Sequence, residues 1–161
     1  MTQSLKVLMQ QFSKPGKLVW IGVRSGHRQQ VLSVESVIAD TEQGLMGDRY
    51  QGRSGKRQVS LIQWEHLKVL EAFTGLAITP EMLRRNLVIE GINLLALQKQ
   101  KFQIGDAVLQ VTGLCHPCSR MEQVLGPGGY NAMRGHGGLT ARVISDGEMS
   151  LGDAVIALPE D

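Results

Sequence analysis

The chain has 161 residues, of which 42% are hydrophobic, 20% charged and 4% aromatic, with a formal net charge of +2. That length holds one domain with a real core and is short for two, so residues 1–161 are expected to form a single domain. The near-balance of charge gives no general case for nucleic acid or a membrane surface, and so few aromatics argue against a base-stacking platform.

Met1 to Leu18 shows no long apolar core and no small-residue cleavage site, so no signal peptide is expected. No window approaches the roughly 20 apolar residues of a membrane span. Two cysteines and no export signal point to a reducing, cytoplasmic setting rather than a disulfide framework. The 19 glycines predict many turns.

The apolar run Leu18 to Val23 predicts a strand, turned by Arg24-Ser25-Gly26. Val31 to Ile38 partly alternates and predicts a second strand. Gly44 to Gly55 is a polar, Gly-rich loop that carries Arg49 and Arg53. Arg57 to Ile62 predicts a strand. Apolar residues at Trp64, Leu67, Leu70 and Phe73 have helical spacing. Thr79-Pro80-Glu81 is a helix start, with an N-cap hydroxyl, proline at the first helical position and an early carboxylate. The helix must be short, because Asn86 to Glu90 reads as strand, and Phe102 to Val111 gives another. Ile104-Gly105-Asp106-Ala107-Val108 recurs as Leu151-Gly152-Asp153-Ala154-Val155, two Gly-Asp corners that each feed an apolar strand. Arg142 to Met149 predicts a hairpin turned at Asp146-Gly147. Many short strands, Gly corners and two or three helices predict a mainly β barrel with peripheral helices.

Cys115-His116-Pro117-Cys118 holds both cysteines. A thiolate is a nucleophile, a soft metal ligand and a sulfur acceptor, and Arg120 is placed to favour it. The spacing fits a dithiol shuttle, but that chemistry expects a βαβ setting, and the surroundings here read as β with Cys118 leading towards Gly126-Pro127-Gly128-Gly129. It also fits half a zinc site, but the histidines (His27, His66, His116, His136) do not repeat the spacing. The third chemistry is one reactive thiol, Cys118, with Cys115 and His116 as neighbours. Two small buried hydrophobes are the bland alternative. The polar Pro- and Gly-rich setting favours function.

Arg84-Arg85-Asn86 makes a compact anion-recognition set, because guanidinium grips phosphate with a two-pronged fork. Solvated arginines at a helix end are an equal reading on spacing alone. Gly44-Leu45-Met46-Gly47-Asp48-Arg49, with Gly52 and Lys56-Arg57-Gln58, forms a basic loop whose glycines let a ligand approach the backbone. It lacks the Gly-Lys-Ser/Thr ending of a P-loop, so nucleotide binding is not supported. Arg134-Gly135-His136-Gly137-Gly138 reads as a connector in which His136 has little weight and the glycine pair can bring backbone close to a site.

In order and spacing these motifs resemble the MOSC family, the domain found at the C-terminal end of molybdenum cofactor sulfurases. The likeness runs from Gly44–Arg49 through Arg57–Ile62, Leu83–Val88, Phe102–Asp106 and Pro117–Arg120 to Gly138–Val155. It implies a β-barrel and a site built around one cysteine, here Cys118, that carries sulfur or ligates molybdenum. It implies a pterin phosphate held by Arg49, Arg57, Arg84, Arg85 and Asn86, with Arg120 and Gly138 also binding the cofactor. Stand-alone relatives reduce N-hydroxylated compounds with electrons from a partner protein. By that resemblance the chain is a molybdenum-dependent oxidoreductase acting on a small molecule, or a sulfur carrier fed by a cysteine desulfurase. Pyridoxal phosphate is not expected, since the desulfurase half of the sulfurases is missing. Enclosing the cofactor can require a second subunit, a homo-oligomer included. Cys115 can act as a resolving thiol for an oxidised or persulfidated Cys118. Two alternatives stay open: a thiol-disulfide protein using Cys115 and Cys118, and a non-catalytic anion-binding barrel.

Overall fold

A computed structural model describes residues 2–26, 29–49 and 55–160. The expectations for His27, Gly52 and Arg53 lie outside the described residues. Among those described, the elements run α1 (Leu5–Met9), β1 (Gly16–Val23), β2 (Leu32–Val34), β3 (Ser36–Asp40), β4 (Gly44–Leu45), β5 (Val59–Gln63), α2 (Trp64–Thr74), α3 (Pro80–Leu83) and β6 (Leu87–Glu90). A 3-10 turn (Leu94–Leu97) follows, then β7 (Lys101–Ile104), β8 (Ala107–Leu114), α4 (Ser119–Leu125), α5 (Gly129–Met133), β9 (Leu139–Ser145), β10 (Gly147–Ser150) and β11 (Ala154–Ala157).

The large sheet has the order β11-β7-β8-β9-β5-β6-β1-β2, and β11 also pairs with β1. That last pairing closes seven strands into a barrel and leaves β2 as a flap on β1. Within it only β5 and β6 run parallel, joined through α2 and α3; every other pairing is antiparallel. A small sheet, β10-β3-β4, packs alongside. The mainly β barrel with peripheral helices expected from the sequence is the architecture observed.

Strand pleat divides the core in two. Neighbouring residues on a strand face opposite ways. Leu61, Leu87 and Ile89 therefore enter the barrel interior with Leu18, Ile21, Phe102 and Ile104. Ile62 and Val88 face outward instead, and meet Leu67 and Leu70 of α2 and Met121, Leu125 and Met133 of α4 and α5. Each such fully buried side chain contributes roughly 1.5–3 kcal/mol. The second cluster clamps the helices onto the outside of β5 and β6. Helix α2 ends at Gly75, whose left-handed conformation lets its N–H cap the Glu71 carbonyl at 2.8 Å.

Several local expectations are corrected. Residues 31–38 are not one strand: β2 joins β1, while β3 joins β10 in the small sheet. Residues 102–111 fold into a hairpin, β7 and β8, turned at Gly105-Asp106. Asp146-Gly147 is not a hairpin turn, because β9 pairs with β8 and β5 while β10 pairs with β3. The Asp146 carboxylate accepts the Thr41 N–H at 2.7 Å, which holds the switch between sheets. The segment after Cys118 is helical, where a β pattern was expected. The two Gly-Asp corners touch each other: a Cβ on Gly105 would overlap the Asp153 carboxylate.

Candidate functional site

One end of the barrel, where β5 and β6 begin and β8 ends, opens into a cleft of about 210 Å³. Six arginines line it (Arg24, Arg49, Arg57, Arg84, Arg85 and Arg120), against a single carboxylate, Asp48. Cys115 and Cys118 line it too. Among the described residues, no carboxylate forms an ion pair with Arg24, Arg57, Arg84, Arg85 or Arg120. The excess cation is therefore available to a ligand. Such a pocket concentrates positive potential and draws anions.

Each arginine arrives by a different route. Strand β1 runs antiparallel to β6, with Ile21 opposite Leu87, so the residues just past the end of β1 lie beside those just before β6. Arg24 is thereby brought next to Arg84 and Arg85. Its backbone is pinned on both sides: the Arg24 N–H donates to Asp48 Oδ1 at 2.8 Å, and the Arg24 carbonyl accepts from the Arg49 N–H at 2.6 Å. Asp48 thus joins the basic loop to β1 and is a positioning residue.

Arg84 caps α3 in the left-handed region, with φ 59° and ψ 28°. For a residue other than glycine this costs about 1–2 kcal/mol. The bend separates two adjacent arginines. Arg84 reaches across to the Gln29 carbonyl at 3.2 Å and lines the cleft. Arg85 is only 8% exposed. Its Nε donates to the Gly137 carbonyl and its Nη1 to the Leu83 carbonyl, both at 2.9 Å. Its Nη2 is buried with no hydrogen-bond partner. A buried donor left unmatched is costly, which is why such groups are rare.

Burial, then Arg120, then Arg24 push the Arg84 guanidinium below its ordinary value, and Cys118 opposes them. These four side chains therefore share one electrostatic neighbourhood. Cys118 is the N-cap of α4, is exposed, and makes no capping hydrogen bond through its sulfur. Cys115 is buried, and its N–H donates to the Gly138 carbonyl at 2.8 Å.

Of the residues singled out in the sequence, Arg49, Arg57, Arg84, Arg85, Asn86, Arg120, Cys115 and Cys118 all meet in this cleft. Asn86 is there as a brace. Its Oδ1 accepts from the Ser60 N–H and hydroxyl at 3.0 and 3.1 Å, and its Nδ2 donates to the Gly22 carbonyl at 3.1 Å, tying β5, β6 and β1 together. Gly138 and His116 line a neighbouring apolar cavity instead. Arg24, Ser60 and Thr140 were not foreseen. Gln58 bridges the Thr41 carbonyl and the Val143 N–H, so it too is a brace. Among the described residues no three His, Cys, Asp or Glu side chains gather as metal ligands, and no helix is long and apolar enough to cross a membrane.

Known proteins resemble the chain as follows. The profile of the MOSC domain matches residues 26–156. The solved structure of YuaD from Bacillus subtilis superposes with a TM-score of 0.78 at 17% identity, covering 93% of this chain and 100% of that one. YiiM from Geobacillus stearothermophilus gives 0.75 at 19% identity, covering 90% and 76%. YiiM from Escherichia coli gives 0.70 at 19% identity, covering 90% and 71%. No curated protein matches it in sequence. The profile spans most of the chain, and the solved structures share its barrel: the chain belongs to the MOSC domain family.

Proposed function

We propose that this protein binds the molybdenum cofactor in the arginine cleft and uses Cys118 as its sulfur group. The observation that carries the reading is the single cleft holding six arginines, one carboxylate and an uncapped, exposed cysteine. Association of the MOSC family with this cofactor supports it.

The donor set fits the group. A phosphate-bearing tail needs several guanidinium donors, and Arg84, Arg120 and Arg24 offer them together. The orphaned Arg85 Nη2 is a further donor in want of an acceptor. A thiolate is a suitable soft ligand for molybdenum, and Cys118 supplies it. When bound, the cofactor would supply the redox centre; the protein supplies binding, orientation and electrostatics. With that centre the protein acts as a reductase of N-hydroxylated small molecules, served by an electron-donor protein. Without turnover of that kind it acts as a sulfur carrier charged at Cys118 by a cysteine desulfurase.

The test is molybdenum content after co-expression with the cofactor pathway, wild type beside Cys118→Ser. Near-stoichiometric metal, lost in the variant, is expected. Wild type without metal, under conditions that load a known molybdoenzyme, would sink the cofactor reading.

A second reading has its own observation. Both cysteines line the same cleft, one buried and one exposed, as a nucleophilic and a resolving thiol would. A dithiol protein needs both and no metal, so retained activity in Cys115→Ser would dismiss it.

A further inference from the structure

Cys115 is shared by two cavities. On one side lies the arginine cleft; on the other, a cavity of about 190 Å³. The second cavity has leucine walls: Leu94 and Leu139 are buried, and Leu95 and Leu114 stand half-exposed at its mouth. Two imidazoles, His66 and His116, also line it. Among the described residues neither makes a hydrogen bond to the protein; the His66 ring only meets the His136 ring edge-on, with centroids 5.0 Å apart. Gln63 cannot serve a ligand, because its amide is committed to Glu65, Ile89 and the Leu94 N–H.

These features define an occupant. Apolar walls with a few unmatched polar groups are the usual make-up of a small-molecule site. An apolar cavity of about 150 Å³ in another protein accepts benzene, so this one has the capacity for a single ring with a short substituent. The adjoining cleft carries five more arginines than carboxylates (six against one), so a cation would be repelled. His66 is held below the ordinary histidine value by burial, then by His136, with Glu65 opposing. Near neutral pH it presents a neutral ring that can donate or accept.

We propose that this cavity binds a neutral, single-ring, mostly apolar molecule bearing one hydrogen-bonding group, oriented by His66 and His116. On the cofactor reading above, on which this clause alone rests, that molecule is the organic body of the substrate, with its polar end passing Cys115 towards Cys118.

The probe is benzamide, titrated into cofactor-free wild-type protein while the ring-proton signals of His66 and His116 are followed by NMR. Both signals are expected to shift and saturate. Benzylamine, a cation of the same size, is expected to bind at least about tenfold more weakly. Leu95→Trp and Leu114→Phe, which fill the mouth from half-exposed positions, are each expected to weaken benzamide about tenfold or more. Inorganic phosphate at saturating concentration should not displace it. Silent histidine signals, equal binding of benzylamine, indifference to both mouth variants, or displacement by phosphate would overturn the proposal. The two readings fail separately, because benzamide binding is measured without cofactor and metal content is measured without benzamide.

Discussion

Arg85 Nε donates to the Gly137 carbonyl at 2.9 Å across 52 residues of sequence. The bond joins the lead-in of β6 to the lead-in of β9 and stands between the two cavities. Gly137 must be glycine for another reason: a Cβ there would overlap the Cys115 carbonyl. One arginine thus commits two donors to architecture and leaves a third, Nη2, buried and unmatched.

Removing that arginine should cost stability first. Arg85→Met strands the Gly137 and Leu83 carbonyls, and a loss on the order of 3 kcal/mol is expected in urea unfolding. Arg85→Lys keeps the charge but lacks the rigid fork that reaches two carbonyls, so most of the loss should remain. A lysine variant within about 0.5 kcal/mol of wild type would refute this account.

Arg84 and Arg120 should behave in the opposite way. They crowd one another, so Arg120→Gln relieves repulsion and should leave the melting temperature at low salt unchanged or higher. Arg84→Gly also removes the left-handed strain, for a gain of about 1 kcal/mol. Each is expected to weaken phosphate binding about tenfold by calorimetry, roughly 1.4 kcal/mol. Loss of stability in both, with phosphate binding intact, would show that they serve the fold.

Two glycines separate backbone conformation from space. Gly138, at φ 91°, faces the Leu61 carbonyl so closely that a Cβ would overlap it. Gly152, at φ 92°, has nothing within 4 Å of that position. Gly152→Ala should cost about 1–2 kcal/mol from backbone strain alone. Gly138→Ala should cost clearly more, because β5 must also shift. Equal losses in thermal unfolding would show that the close approach is relieved cheaply.

His66 makes a pH prediction whose sign is definite. Its folded value is lowered, by burial first and then by His136, so the folded state prefers the neutral ring. The unfolded chain binds the proton more readily. The stabilisation is full above the ordinary histidine value of 6.5 and is lost as pH falls through the lowered folded one. His66→Gln should flatten the fall in stability below pH 6.5. An unaltered pH profile in that variant would contradict it.

The barrel was legible in the chain because it rests on local signals, and so was the segment that brings two cysteines to the cleft. The apolar run Leu18–Val23, helical spacing from Trp64 to Phe73 and the Thr79-Pro80-Glu81 start are short-range patterns, and each produced its element. The two-cysteine segment and the ordered motifs likewise named residues that the fold gathers in one cleft. Other local signals were overruled by pairing partners far away in sequence. Asp146-Gly147 has hairpin residues, but β3 captured β10. Helix α4 has a weak local pattern, and Met121 and Leu125 hold it by packing on the outer face of β5 and β6.

The composition of the site was decided by tertiary structure for the same reason. Nothing around Arg24 marks it as a binding residue; only the antiparallel register of β1 with β6 carries it to Arg84. Nothing in Arg84-Arg85-Asn86 tells its three members apart. A left-handed bend turns the first to the cleft, the barrel wall buries the second, and the ends of three strands consume the amide of the third. Residue type and spacing determined what chemistry the chain could assemble. Strand register, which depends on contacts summed over the whole chain, decided which side chains remained free to perform it.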